Sequence, residues 1–301
     1  MNALSAAICV VCEESAVLRS LKQPFSKVGH LARLLPVSDR QWANLDLLRT
    51  LVQRDLRVRY EGSMIGNLWA VVHQVLQLLI FTYVFSVVLQ VKLSLKGLPA
   101  NDFTYGLWLF AGLVPWTALV MGLSQAATSV INQPNLVKKV VFPLSLLPLV
   151  PIVSAFVESS IGLMLLIAML AFTTKTLHAS LLLLPLVWIP QLLLTAGLGY
   201  LTAGLTVFIR DIAQTVGVVL NLWFYVTPII YPANIVPEFL RFWVFQFNPF
   251  TAIVETYRDL ILEGKLAHGP ELLTAYGVAI AVFLLGWLIY KRLRPAFADV
   301  L

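Results

Sequence analysis

Six stretches of this 301-residue chain stay apolar for about the 20 residues that a bilayer crossing needs, and nothing else in it limits the fold so tightly. They lie at about 64–91, 104–128, 144–172, 180–208, 213–232 and 271–290. In hydrocarbon every backbone N–H and C=O needs a partner inside the protein, so such segments are helices rather than open strands. Two further apolar pieces, 238–247 and 249–262, are too short to cross and are broken by Pro237, Pro249, Arg241 and Arg258. They read as re-entrant or interfacial pieces. Only 12% of the residues are charged, about half the usual share in soluble domains, which excludes a globular reading. The expected fold is an all-α integral membrane protein. It has six transmembrane helices, an N-terminal amphipathic interface helix, and short re-entrant helices between the fifth and sixth spans.

The basic residues give this frame a direction. Arg49, Arg54, Arg57, Arg59, Lys138, Lys139, Arg210, Lys291, Arg292 and Arg294 fall on one side of a six-span layout. Lys92, Lys96, Lys175, Arg241, Arg258 and Lys265 fall on the other. The richer and denser set is cytoplasmic by the positive-inside rule, so both termini are expected inside. The net charge of +6 follows this topology and lacks the basic, aromatic-interleaved soluble face of a nucleic-acid binder.

Before the first span, Ser38 and Gln41 have capping-box spacing. The following helix places Leu45, Leu48, Val52 and Leu56 on one face and Asp46, Arg49, Gln53, Arg54 and Arg57 on the other. That pattern suits a helix lying in the membrane interface, or a solvated helix with no partner. The organisation read from the chain is a cytoplasmic extension at 1–37, an interface helix at 38–62, a six-helix transmembrane domain at 63–294 that includes the re-entrant region 232–262, and a cytoplasmic tail at 295–301. Cys9 and Cys12 form a lone C-x-x-C with no further ligands in reach, so no metal site is expected.

No catalytic constellation emerges. The chain has no G-x-x-x-x-G-K-[ST] phosphate loop, no hydrolase elbow and no His/Asp/Glu cluster, so it is not expected to be an enzyme. The clear ionisable groups inside spans are His73 and Glu158, and a carboxylate at membrane depth needs a partner or water. Four spans carry uncharged stripes at helical spacing. These are Gly66, Ala70, His73 and Gln77; Ser154, Glu158 and Gly162; Gln191, Thr195, Gly199 and Thr202; and Gln214, Gly217, Asn221 and Tyr225. Helix packing explains much of any single stripe, while four together also suit a polar-lined path for a hydroxyl-rich substrate. Aromatics are plentiful, Trp69, Trp108, Phe110 and Trp116 among them; most fit interfacial belts or lipid-facing bulk, some suit stacking on sugar faces, and the sequence does not sort the two groups.

Four blocks in order carry a resemblance over most of residues 45–294. They are Arg54-Asp55-Leu56-Arg57-Val58-Arg59-Tyr60 with Gly66-Asn67-Leu68-Trp69; Asn135 through Pro143; Arg210-Asp211-Ile212; and Asn248-Pro249-Phe250 with Tyr257-Arg258-Asp259-Leu260. In these the chain resembles the permease subunits of ABC exporters for bacterial surface polysaccharides and polyol phosphates, such as O-antigen, capsule and teichoic acid. The resemblance implies a bacterial inner-membrane homodimer that moves lipid-linked glycan between its two copies. It implies a separately encoded ATP-binding subunit, also in two copies, which binds ATP and Mg, so this chain needs no cofactor of its own.

Carried onto this chain, the resemblance implies that Asn135, Lys138, Lys139, Phe142, Arg210 and Asp211 couple to the ATPase. Arg49, Arg54, Arg57 and Arg59 lie on the interface helix. Trp69, His73, Gln77, Glu158, Asn221 and Tyr225 are candidates for the path wall, and Phe242, Trp243, Asn248 and Arg258 for an outer gate. A small-lipid or drug exporter, a membrane scaffold and an ion-driven carrier are the alternatives.

Overall fold

Pro228 sets one of the chain's main departures from even spanning. A residue before proline is driven out of the α region, and Thr227 is extended at φ −83° and ψ 133°. The apolar helix expected over 213–232 therefore closes at Val226 after 16 residues. This computed structural model describes residues 39–63, 65–66, 68–88, 102–139, 142–174, 178–239 and 248–301, and among them no strand occurs.

The helices in chain order are α1 (Asp39–Tyr60), α2 (Leu68–Thr82), α3 (Asp102–Thr128), α4 (Pro134–Lys139), α5 (Leu146–Thr174), α6 (Leu184–Thr206), α7 (Asp211–Val226), α8 (Pro249–Arg258), α9 (Gly269–Leu293) and α10 (Phe297–Val300). Among the described residues, five segments are long and apolar enough to cross a membrane: Leu68–Phe85, Thr104–Thr128, Leu146–Thr173, Ala179–Thr206 and Gly269–Val300. The α7 helix is equally apolar but shorter. Ser38, and with it the expected cap of α1, lies outside the described residues.

Residues Leu48–Leu301 form one unit, and residues up to Leu47 form another, whose described part is the start of α1. Within the larger unit α3 is the axis. It is buried along most of its length and packs on α5, α6, α7 and α8. Trp108, Phe110 and Trp116 sit in this core at 5%, 1% and 6% exposure, apart from the interfacial and lipid-facing places expected of most aromatics. Trp108 meets Arg258 of α8, and Trp116 stands edge-on to Trp223 of α7 and Phe250 of α8.

The most intimate crossing joins α6 to α9. A Cβ on Gly197 would lie 2.6 Å from the Phe283 backbone, and one on Gly286 would collide with the Gly197 carbonyl. Small residues at both positions let the two backbones touch, a packing mode suited to lipid, where apolar burial does little to drive helices together. At the α4 end of the bundle a second core gathers Val137, Leu144, Tyr200, Tyr290 and Phe297.

Candidate functional site

The exposed part of the α2 stripe and the α7 stripe face one open surface. His73 and Gln77 from α2, Thr117 and Ser124 from α3, and Gly217 and Asn221 from α7 line a cleft of about 460 Å³. Trp116 and Phe224 supply its aromatic wall. A second cleft of about 420 Å³ continues from it, sharing His73 and Met121, and reaches Trp69, Gln74 and the end of α1. Together they form a groove that offers an imidazole, amides and hydroxyls beside aromatic rings. Tyr225, on the same α7 stripe, is 64% exposed and donates no side-chain hydrogen bond among those described.

The α5 and α6 stripes have a different fate. Gln191 and Thr195 are fully buried, and the Gln191 amide donates to the Pro115 carbonyl at 2.9 Å while accepting from the Tyr257 hydroxyl at 2.8 Å. Ser159, beside the α5 stripe, donates to the Val114 carbonyl at 2.8 Å. These groups tie α3, α5, α6 and α8 together and present nothing to a ligand.

Glu158 lines the second cleft but is only 4% exposed and already engaged. Arg59 donates to its Oε2 at 3.1 Å, and the Tyr60 hydroxyl donates to its Oε1 at 3.0 Å. The same guanidinium holds Asp55 at 2.8 Å and makes a short bond to Gln125 of α3. The last turn of α1 is thereby clamped to α3 and α5. Burial, followed by the charge of Glu158 and the hydrogen bond to it, pushes the Tyr60 phenol up to about 12, so it stays a donor throughout the physiological range.

Among the residues with an expected coupling role, Asn135 and Lys138 are exposed on α4, while the Lys139 side chain lies outside the described residues. Phe142 is partly buried against the second core. Two carbonyls just beyond it are held by phenols: Tyr290 donates to Leu144 at 2.8 Å and Tyr200 to Ser145 at 2.9 Å. Arg210 and Asp211 are exposed where α7 begins. On α1, Arg54 and Arg57 are exposed, whereas Arg59 turns inward to its clamp.

Of the expected gate residues, Phe242 and Trp243 lie outside the described residues, and Asn248 and Arg258 are buried at 6% and 3% exposure. The Arg258 guanidinium donates to the carbonyls of Pro228 and Ile229, each at 2.7 Å, and to Glu255 at 2.8 Å. It also stacks 3.5 Å from the Trp108 ring centre. Tyr105 holds the next carbonyl, that of Ile230, at 2.7 Å. Asn248 accepts from the Trp223 indole and the Phe250 N–H and donates to Thr227 at 2.8 Å.

Sequence reasoning missed Gln125, Tyr105, Tyr200 and Tyr290 as partners. The available signal was that a buried tyrosine hydroxyl requires an acceptor, and each of these three sits in an apolar run. Among the described residues no three His, Cys, Asp or Glu side chains gather in a way that would hold a metal.

A helix whose last turn is clamped to a bundle of long apolar helices defines a multi-pass membrane protein. The chain belongs to the ABC-2 type transporter family, whose pattern it matches over residues 46–262. It is 29% identical over 257 residues to the O-antigen export system permease protein RfbA of Klebsiella pneumoniae, covering 85% of this chain and 95% of that one. It is 30% identical over 256 residues to the protein of the same name from Myxococcus xanthus, covering 84% and 94%. Similarity extends to the polysialic acid transport protein KpsM of Escherichia coli, 19% identical over 252 residues and covering 83% and 94%.

Proposed function

We infer that this chain is the membrane permease of an ATP-driven exporter that carries lipid-linked polysaccharide, O-antigen-like or capsular, from the cytoplasm across the bacterial inner membrane. The observation that carries this is the continuous polar and aromatic groove on α2, α3 and α7, in a family member whose relatives are named for O-antigen export and polysialic acid transport. Amides, hydroxyls and ring faces can hold successive sugars weakly, as a long polymer in transit requires. A small drug would call for an enclosed apolar pocket instead.

Two copies of the chain meet across this groove, and two ATP-binding subunits attach from the cytoplasm. The ATP and its Mg belong to those subunits. Their closure pushes on α4 through Asn135, Lys138 and Lys139, with Phe142 seating the segment in the core and Arg210 and Asp211 as a second contact. The α1 helix lies on the membrane surface with Arg54 and Arg57 outward. Both termini are cytoplasmic, and α7 serves as the fifth of six spans. Its 16 residues extend about 24 Å, and the turn that follows completes the crossing because its carbonyls are satisfied inside the protein. The 232–262 region closes the outer side.

The test is affinity purification of the tagged chain from its own cells, followed by export assays in a strain lacking it. A phosphate-loop ATPase should accompany it in equal amount, and surface polysaccharide should depend on the chain. The substitution Lys138→Glu with Lys139→Glu should release the ATPase and abolish export. Retention of both would overturn the coupling role of α4.

A further inference from the structure

The turn after α7, expected above as the end of the fifth span, is bonded like a fixed bearing. Three successive carbonyls, those of Pro228, Ile229 and Ile230, leave the helix and are each taken by a side chain rooted elsewhere. Arg258 of α8 takes the first two and Tyr105 of α3 the third. Glu255 balances the guanidinium, the Trp108 ring covers it, and Gly112 leaves it room, since a Cβ there would lie 2.7 Å from its nitrogen. Asn248 closes the set by joining Thr227 and Trp223 to the first turn of α8. Displacing this turn would strip several hydrogen bonds from a buried cation together, the most costly kind of rupture inside a protein.

The remainder of α7 packs on the bundle through Val216 and Leu220, which join the main core, and no side-chain hydrogen bond to another helix is described for it between Arg210 and Leu222. Val218, Leu222 and Tyr225 are each more than 60% exposed, and nothing lies within 4 Å of the space above Gly217. Its other end, at Arg210 and Asp211, is exposed. We propose that α7 is a lever hinged at Thr227–Ile230, with Arg258 and Asn248 as the positioning residues of the hinge, so that passage opens by a swing of its Arg210–Asp211 end. This rests on the permease reading and differs from a gate in which Asn248 and Arg258 themselves part. A helix about 24 Å long converts a small displacement at the driven end into a change in groove width along its length, while the hinge stays closed.

The experiment uses the complete complex with its ATPase subunit, in a background where Cys9 and Cys12 are serine. Thr227→Cys with Asn248→Cys is joined through two disulfides by a short bis-methanethiosulfonate, which releases methanesulfinate at each thiol, and polysaccharide export is compared before and after. The hinge requires export to persist within about twofold in the cross-linked complex. Abolition that is reversed by reductant would overturn it.

A second arm leaves the hinge untouched. Spin labels at Thr215→Cys with Leu288→Cys, and at Val226→Cys with Leu273→Cys, report the driven and hinged ends. The first distance should shift between nucleotide-free and ATP-trapped states while the second holds. Movement of the second pair, or of neither, would refute the lever, even if the cross-linked variant fails to fold. Failure of the permease reading looks different: no ATPase accompanies the unmodified chain, and export does not depend on it.

Discussion

Helices α6 and α7 carry the same kind of stripe, an amide followed at helical spacing by small and hydroxyl residues, yet the structure uses them in opposite ways. On α6, Gln191 and Thr195 are fully buried, and Gly197 lies against Gly286 of α9. On α7, Gln214, Gly217, Asn221 and Tyr225 are all exposed, and the space above Gly217 is empty. The difference teaches that a polar stripe in a membrane helix states a need for partners without saying who meets it. Where a neighbouring helix offers a carbonyl or a hydroxyl, the stripe becomes glue. Where none does, it stays exposed on the open cleft.

The sharpest way to break the comparison is to place one side chain at both glycines. Gly286→Leu drives its Cβ into the Gly197 carbonyl, a backbone contact that cannot yield. It should cost at least about 3 kcal/mol and appear as loss of monodisperse protein in detergent and of its melting transition. At Gly217 a Cβ meets no atom of this chain within 4 Å, so for Gly217→Leu the melting temperature should hold while export falls as the groove narrows. Equal melting temperatures for the two variants would erase the distinction between core and wall.

Next in size is Glu158. Glu158→Ala leaves Arg59, only 15% exposed, with Asp55 and Gln125 but no partner on α5, and should destabilise by about 1–3 kcal/mol. The pair Arg59→Met with Glu158→Met should cost less than Glu158→Ala alone, because it removes the inward cation together with its buried carboxylate and leaves only the partly exposed Asp55 without its partner. Thermal unfolding of the three proteins checks the order. If Glu158→Ala melts with the unmodified chain, the clamp contributes nothing.

The apolar runs were legible because their period and length depend on local sequence alone: α2 and α6 lie within them, and α3, α5 and α9 overrun theirs by only a turn or less. Val52 too is buried as the α1 pattern expects. What was not legible depended on distance along the chain. Glu158 finds Arg59 across 99 residues, and Arg258 finds Trp108 across 150. From sequence, Glu158 was a candidate wall residue and Arg258 a candidate gate residue, since an ionisable group at membrane depth signals function until its partner is known. The early end of α7 was in principle readable from Thr227-Pro228, but the apolar run continuing to Tyr231 masked it.

A smaller contrast sets the two amides against each other. Gln191→Leu strands the Tyr257 hydroxyl and the Pro115 carbonyl in the core and should cost about 1–3 kcal/mol. Asn221→Leu replaces an exposed amide and should change stability by less than about 0.5 kcal/mol while weakening export. Reversal of that pattern in unfolding and export assays would show that α7, rather than α6, is the packed helix.

The mildest effect lies at the rim of the packed half, where His268 precedes α9. Asp259 accepts hydrogen bonds from the backbone N–H groups of Ala267 and His268 and contacts the His268 ring nitrogen at 2.9 Å. That hydrogen bond, reinforced by the charges of Asp259, Glu255 and Glu271 and opposed by partial burial, raises the His268 pKa above its usual 6.5. A group whose pKa is raised by folding contributes its full stabilisation below the unfolded value and loses it as pH climbs through the folded value. The purified chain should therefore lose stability as pH rises from about 6.5 through the raised folded pKa of His268. His268→Phe should flatten that part of the melting profile and leave the groove on α2 and α7 unaltered, so export measured in the same window should keep its pH dependence. A profile that is already flat in the unmodified chain, or unchanged in His268→Phe, would mean that the contact with Asp259 adds no pH-dependent stability and that the packed half is held at this rim by its backbone bonds alone.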